Sequence, residues 1–103
     1  MAPDAHLALS VEELAAVRAI LAAHLPPGFV ASAFGSRARG AAKPWSDLDL
    51  VIEGPAPLPL ATLASLREAF DDSDLPWNVD LVDRSGLDPA FAAIVDAQKV
   101  ALA

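Results

Sequence analysis

Apolar residues recur along this chain with two different periods, and the switches between them mark out its elements. Val11, Leu14, Val17, Leu21 and Leu25 follow one another at helical spacing while Glu12, Glu13 and Arg18 are polar. This predicts an amphipathic helix ended by Pro26 and Pro27. Ser10 stands three residues ahead of Glu13, the spacing of a capping box. Residues 28–34 are short, apolar and bounded by proline and by Gly35-Ser36, as a buried strand would be. A short helix is expected over Arg37 to Ala42, before Pro44 and Trp45 break it. Residues 47–53 alternate, with Leu48, Leu50 and Ile52 on one face and Asp47, Asp49 and Val51 on the other. They predict a second strand whose acid face turns to solvent or to a ligand. Beyond a loop of Gly54, Pro55, Pro57 and Pro59, Leu60, Leu63, Leu66 and Phe70 mark a second long helix that ends in Asp71, Asp72 and Asp74. Residues 77–83 form a third strand candidate, with Asp80 and Val82 on one face and Val79, Leu81 and Asp83 on the other. Asp88-Pro89 reads as an N-cap with proline at the first helical position, opening a last helix through Phe91, Ile94, Val95 and Gln98. The order of elements predicts a small α/β (α+β) domain with a mixed sheet of three to four strands flanked by helices.

Composition narrows this picture. The chain has 103 residues, 54% apolar but only 6% aromatic, so its core should be built of Leu, Val and Ala. That length suits one domain over residues 1–103, with 1–9 as a loose leader, because a second core would have too little area to bury. A formal charge of -7, with only seven Lys and Arg, argues against binding a long nucleic acid. Arg37, Arg39 and Lys43 nevertheless lie close together, and a local positive patch on an acidic body suits a small polyphosphate. The absence of cysteine excludes disulfides, thiolate metal sites and cysteine nucleophiles. Neither a signal-peptide pattern nor an apolar run long enough to cross a bilayer is visible, so a cytoplasmic protein without membrane association is expected.

The chemistry is concentrated between Gly35 and Leu50. Asp47 and Asp49, two apart on a strand, project from one face about 7 Å apart and can converge on a divalent metal. If Asp80 arrives on the same side of the sheet, three carboxylates could hold two ions. Gly35 lets the backbone pass close beneath a phosphate, Ser36 offers a hydroxyl and an N–H group, and Arg37 and Arg39 add charge-assisted donors. Each feature also has a plainer reading: an ordinary turn, a solvated strand edge, arginines that offset nearby acids. Their occurrence in one ordered unit favours the functional reading. Asp83 leaves the opposite face of its strand, so Asp80 is preferred as the third acid, and Glu53 lies too far along to join. Trp45 is read first as a packing residue and second as a platform for a base, and Lys43 either as a phosphate contact or as a surface lysine. His24 reads as an ordinary helix-end histidine, and Asp71, Asp72 and Asp74 as a solvated helix exit.

The unit Gly35-Ser36-Arg37-Ala38-Arg39-Gly40, followed by Ser46-Asp47-Leu48-Asp49-Leu50 and later by Val79-Asp80-Leu81-Val82-Asp83, resembles the polymerase beta-like nucleotidyltransferase superfamily. Within it the match is to the minimal nucleotidyltransferases that accompany HEPN-domain proteins in prokaryotic toxin–antitoxin pairs. The resemblance spans about residues 10–100 and implies the polymerase beta-like fold. It also implies Mg²⁺-dependent transfer of AMP from ATP to an acceptor hydroxyl, with two ions and with pyrophosphate leaving. By motif position, Gly35 and Ser36, with Arg37 and Arg39 beside them, would hold the nucleotide. Asp47, Asp49 and Asp80 would be the metal-binding and catalytic acids, Asp80 assisting the incoming hydroxyl. The acceptor in that subfamily can be a tyrosine of the HEPN toxin, whose modification silences it. This chain contains no tyrosine, so such an acceptor would come from a partner. Neutralisation of the partner by binding alone, or transfer to a small molecule, are the alternatives.

Overall fold

The structure, a computed structural model, describes residues 7–102. Its elements run in the order α1 (Val11–His24), β1 (Val30–Phe34), β2 (Leu48–Glu53), α2 (Leu60–Asp71), β3 (Val79–Asp83), a 3-10 turn (Arg84–Gly86), α3 (Pro89–Gln98) and β4 (Val100–Ala101). The four strands form one mixed sheet in the order β3-β2-β1-β4. β2 is antiparallel to β1 and parallel to β3, the crossover to β3 being made by α2. The expected α/β architecture is the one observed.

Alternation along the strands decides what lies on each face. Ala31, Ala33, Leu48, Leu50, Ile52 and Leu81 are buried in one cluster with Val17 and Leu21 of α1 and with Leu66 and Phe70 of α2. Each fully buried leucine there contributes roughly 1.5–3 kcal/mol relative to exposure. The opposite face carries a smaller cluster, in which Phe34 and Val51 pack against Val95 of α3. The face that bears the acids is therefore partly covered by α3, and beside Asp49 and Asp80 it opens into a cleft.

Side-chain caps set the starts of α1 and α3, while α2 begins after Pro59 without one. Ser10 Oγ accepts from the Glu13 N–H at 3.0 Å while Glu13 Oε1 accepts from the Ser10 N–H at 2.8 Å, which completes the predicted capping box. Asp88 caps α3 through the Phe91 N–H at 2.9 Å, with Pro89 at the first helical position.

Several expectations are corrected. Residues 36–40 form consecutive turns rather than a helix, with the Ala38 and Arg39 N–H groups both donating to the Gly35 carbonyl. Gly40, at φ +73°, takes the left-handed conformation that ends such a turn. Helical periodicity overstated the core at the helix ends: Val11 and Leu60, each at the first position of its helix, are 82% and 83% exposed. On α3 it is Ala92 and Val95 that are buried, while Ile94 and Phe91 are exposed. β1 and β3 start at Val30 and Val79, later than expected, and β4 adds a fourth strand beside β1. Of the leader expected over residues 1–9, residues 1–6 lie outside those described. Leu7 and Leu9 pack against the core, and the Ala8 N–H donates to the Arg37 carbonyl, so this part is held in place.

Candidate active site

The open part of the acid-bearing face is assembled from three segments. In the antiparallel register Phe34 lies opposite Asp49, and in the parallel register Asp49 lies opposite Asp80. Laterally paired residues point to the same face, so Phe34, Asp49 and Asp80 form one row across the sheet. Asp47 immediately precedes β2 and is exposed. Crowding is visible in the electrostatics: the Asp49 carboxyl is held above the usual carboxylate range by burial and then by the charges of Asp80 and Asp47.

Gly35 brings the turn against this row. Its φ of +76° belongs to the left-handed region, and a Cβ there would run into Asp49 Oδ2, with Asp49 Cγ only 3.3 Å away. Only glycine lets the backbone pass this close to the carboxylate. The Gly35 N–H is not free, since it donates to Gln98 Oε1 at 3.1 Å and so ties the turn to the end of α3. The next two N–H groups, of Ser36 and Arg37, meet no acceptor among the described residues. Two unengaged N–H groups beside a serine hydroxyl make a nest suited to phosphate oxygens.

Arg37 does not behave as a phosphate donor. It is only 5% exposed, and its guanidinium lies 4.5 Å from the centre of the Trp77 ring. Nε donates to the Ser46 carbonyl at 2.8 Å, Nη1 to Ala8 at 2.7 Å, and Nη2 to Pro44 at 3.2 Å and Lys43 at 3.4 Å. The expectation that the Arg37 side chain grips nucleotide is corrected: each of its guanidinium nitrogens is engaged by backbone carbonyls. Arg39 is exposed and available. Trp45, read first as a packing residue, is 72% exposed, with Lys43 Nζ 5.7 Å from its ring centre, so packing is not its role.

Asp83 and Glu53 take no part. Burial alone would raise the Asp83 carboxyl, but hydrogen bonds from the Leu58 and Ser85 N–H groups and the Ser85 hydroxyl outweigh it and hold Asp83 below the usual range. Glu53 pairs with Lys99 at 2.8 Å.

Two clefts border the carboxylates. One, of about 530 Å³, is lined by Asp49 and Asp80 together with Phe34, Phe91, Arg67 and Asp71. The other, of about 290 Å³, reaches Asp47 and Trp45 and shares Asp71 and Asn78 with the first. Sequence reading missed Arg67, Asn78 and Gln98 and dismissed Asp71 as solvated. The spacing of Arg67 and Asp71, one turn apart at the end of α2, was the signal for the first cleft. Gln98 carried none, because its partner is a backbone group.

The carboxylates suit a divalent cation in their chemistry: hard oxygen donors, with repulsion at Asp49 that a cation would relieve. Among the described residues, however, no three His, Cys, Asp or Glu side chains stand together as a metal cage. The arrangement fits an ion held by one or two carboxylates and completed by water and substrate phosphates, the habit of Mg²⁺, and not an all-protein site.

Comparison with known proteins agrees with this geometry. The family model described as a nucleotidyltransferase domain matches residues 14–100. "Probable protein adenylyltransferase MntA" of Haemophilus influenzae is 45% identical over 95 residues, covering 92% of this chain and 82% of that protein. A solved structure of a candidate minimal nucleotidyltransferase is 33% identical, with a TM-score of 0.67, over 86% of this chain and 88% of that one. A toxin–antitoxin complex solved with AMP-PNP shares the fold, with a TM-score of 0.72 at 23% identity over 87% of this chain and 72% of that one. So does a complex of tri-AMPylated Shewanella oneidensis HEPN toxin with its MNT antitoxin, with a TM-score of 0.65 at 20% identity over 87% of this chain and 68% of that one. A fold of this topology, an acid row beneath a glycine-serine turn and a family match across most of the chain lead to one conclusion: this chain belongs to the nucleotidyltransferase domain family.

Proposed function

We propose that this chain, acting as one minimal domain, is a cytoplasmic protein adenylyltransferase that transfers AMP from ATP to a tyrosine hydroxyl of a HEPN-domain toxin and thereby serves as its antitoxin. The observation that carries the reading is the row Asp49–Asp80 lying in register beneath the Gly35–Ser36 turn. The 45% identity to an adenylyltransferase supplies the reaction class, and complexes of fold relatives with toxins supply the partner class.

In this proposal the nest at Ser36 and Arg37 receives the outer phosphates through its backbone N–H groups, and the exposed Arg39 supplies positive charge. Asp47 and Asp49 would hold Mg²⁺, which on binding neutralises the phosphates and polarises the one under attack. A second ion would share Asp49 and Asp80. Asp80 faces the larger cleft and would orient the acceptor hydroxyl and take its proton. Phe34 and Phe91, edge to face with centroids 6.0 Å apart, give that cleft an aromatic wall against which a phenol ring can lie. The phenolic oxygen attacks the α-phosphorus, the bond to the β-phosphate oxygen breaks, and pyrophosphate leaves.

The test is label transfer from α-labelled ATP to the neighbouring HEPN protein in Mg²⁺. Asp47→Ala and Asp49→Ala are expected to lower transfer at least a hundredfold while the two proteins still associate. Transfer that survives both changes rules out the assignment of these acids.

A further inference from the structure

A buried arginine each of whose three guanidinium nitrogens reaches a backbone carbonyl is an expensive way to fill space, since an apolar side chain of similar size would avoid desolvating the charge. What the guanidinium offers instead is direction: a rigid fork that fixes several peptide groups relative to one another. The segments that Arg37 joins are informative. Ser46, Pro44 and Lys43 belong to the irregular connection that delivers the chain to Asp47 and β2. Within that connection the hydrogen bonds among the described residues are few: the Ser46 N–H donates to the Lys43 carbonyl at 3.0 Å, and Ser46 Oγ accepts from the Lys43 N–H at 2.9 Å. Trp77, the ring under the guanidinium, lies just before β3, and the Asn78 carbonyl beside it accepts the Leu48 N–H at 2.9 Å. Ala8 closes the clamp from the segment ahead of α1.

We infer that Arg37 is a positioning residue, which sets the approach of the Asp47-bearing connection to the start of β3 and so fixes Asp47 and Asp49 relative to Asp80. Its side chain acts through the backbone carbonyls it holds and touches neither nucleotide nor metal. The inference rests on the metal-binding role proposed above for Asp47 and Asp49. Arg37 turns the irregular stretch between the glycine turn and β2 into a fixed support, and the cation–π contact makes the start of β3 part of the same unit. Lysine cannot replace it: one ammonium at the same place keeps the charge but cannot hold the Ser46 and Ala8 carbonyls in a fork.

The experiment measures Mn²⁺ binding to the full-length chain by electron paramagnetic resonance, without nucleotide or partner, alongside thermal melting. Wild type is compared with Arg37→Lys and with Leu21→Ala, a core change remote from the clamp that lowers stability on its own. Arg37→Lys is expected to weaken Mn²⁺ binding at least fivefold, and Leu21→Ala to leave the affinity of its folded fraction within twofold of wild type. Arg37→Lys that melts earlier but binds Mn²⁺ like wild type would overturn the positioning role, as would an equal loss in Leu21→Ala. Should Arg37→Lys fail to fold, Trp77→Leu keeps the four carbonyl bonds and removes the platform. At least a twofold loss is then expected, and unchanged affinity overturns the inference. Wild type that binds no Mn²⁺ would strike first at the metal role of the acids, and the role of Arg37 would fall with it.

Discussion

At the scale of single residues, two aspartates on neighbouring strands, Asp49 of β2 and Asp83 of β3, have opposite surroundings. Asp49 sits among like charges beneath a glycine turn, and its ionised form is disfavoured. Asp83 receives three hydrogen bonds that favour its ionised form, at 2.7, 2.8 and 3.0 Å. They join β3 to Leu58, just ahead of α2, and to the turn that follows β3. Because the folded state lowers the Asp83 carboxyl, its stabilisation is present above the unfolded-state value and is lost as pH falls through the folded-state value. Asp83→Asn should therefore cost about 1 kcal/mol at pH 7, after allowing for solvent screening of a partly exposed group. That corresponds to a melting temperature lower by about 4–8 °C. Melts repeated towards pH 3 should bring the two proteins together, since protonated aspartate and asparagine accept hydrogen bonds alike. A gap that persists unchanged in acid would show that the carboxylate charge is not what the three donors hold.

At the scale of elements, the sequence made the acid row legible because strand alternation is rigid: once Leu48, Leu50 and Ile52 face the core, Asp49 must face away from it. The choice of Asp80 over Asp83 follows from the same rule, and the parallel register pairs Asp80 with Asp49. What alternation could not reveal is how far the acid face is covered, because Val51 has the pattern of an exposed position and is buried by Val95 of α3 together with Phe34, Val82 and Leu87. Nor could it reveal where Arg37 points. In a glycine-serine motif an arginine reads as a phosphate ligand, and only the fold brings Trp77 beneath it. The bond from Gly35 to Gln98 belongs to the same class of hidden contact, and it makes α3 a support for the turn. Gln98→Leu would leave a partly buried N–H without its acceptor, a cost of about 1–3 kcal/mol concentrated on the turn. The Gly35 amide should then exchange with solvent at least tenfold faster by NMR, and AMP transfer should fall while the sheet amides keep their protection. Unaltered exchange at Gly35 would mean that the turn holds itself without α3.

At the scale of the whole molecule, charge sets how the site can be used. The chain carries a formal charge of -7, and Asp47, Asp49, Asp71 and Asp80 all border the two clefts. Against them stand the exposed Arg39, Lys43 and Arg67, while the buried charge of Arg37 is committed to backbone carbonyls. Seen this way, the cluster of basic residues in the sequence overstated the positive charge available to a ligand, because one of its three members faces inward. Free ATP, itself a multiply charged anion, would meet net repulsion at this rim, and neighbouring unit charges near a protein surface interact by several kcal/mol. In the proposed reaction the divalent cation therefore has to enable binding as well as chemistry. Titration of ATP into the chain by calorimetry is expected to give at least tenfold weaker binding in EDTA than in Mg²⁺, the metal-free arm recovering in part as added salt screens the acids. ATP that binds equally well in EDTA would instead mean that the Ser36 nest and the exposed basic residues are sufficient, and that the acids serve only the transfer step.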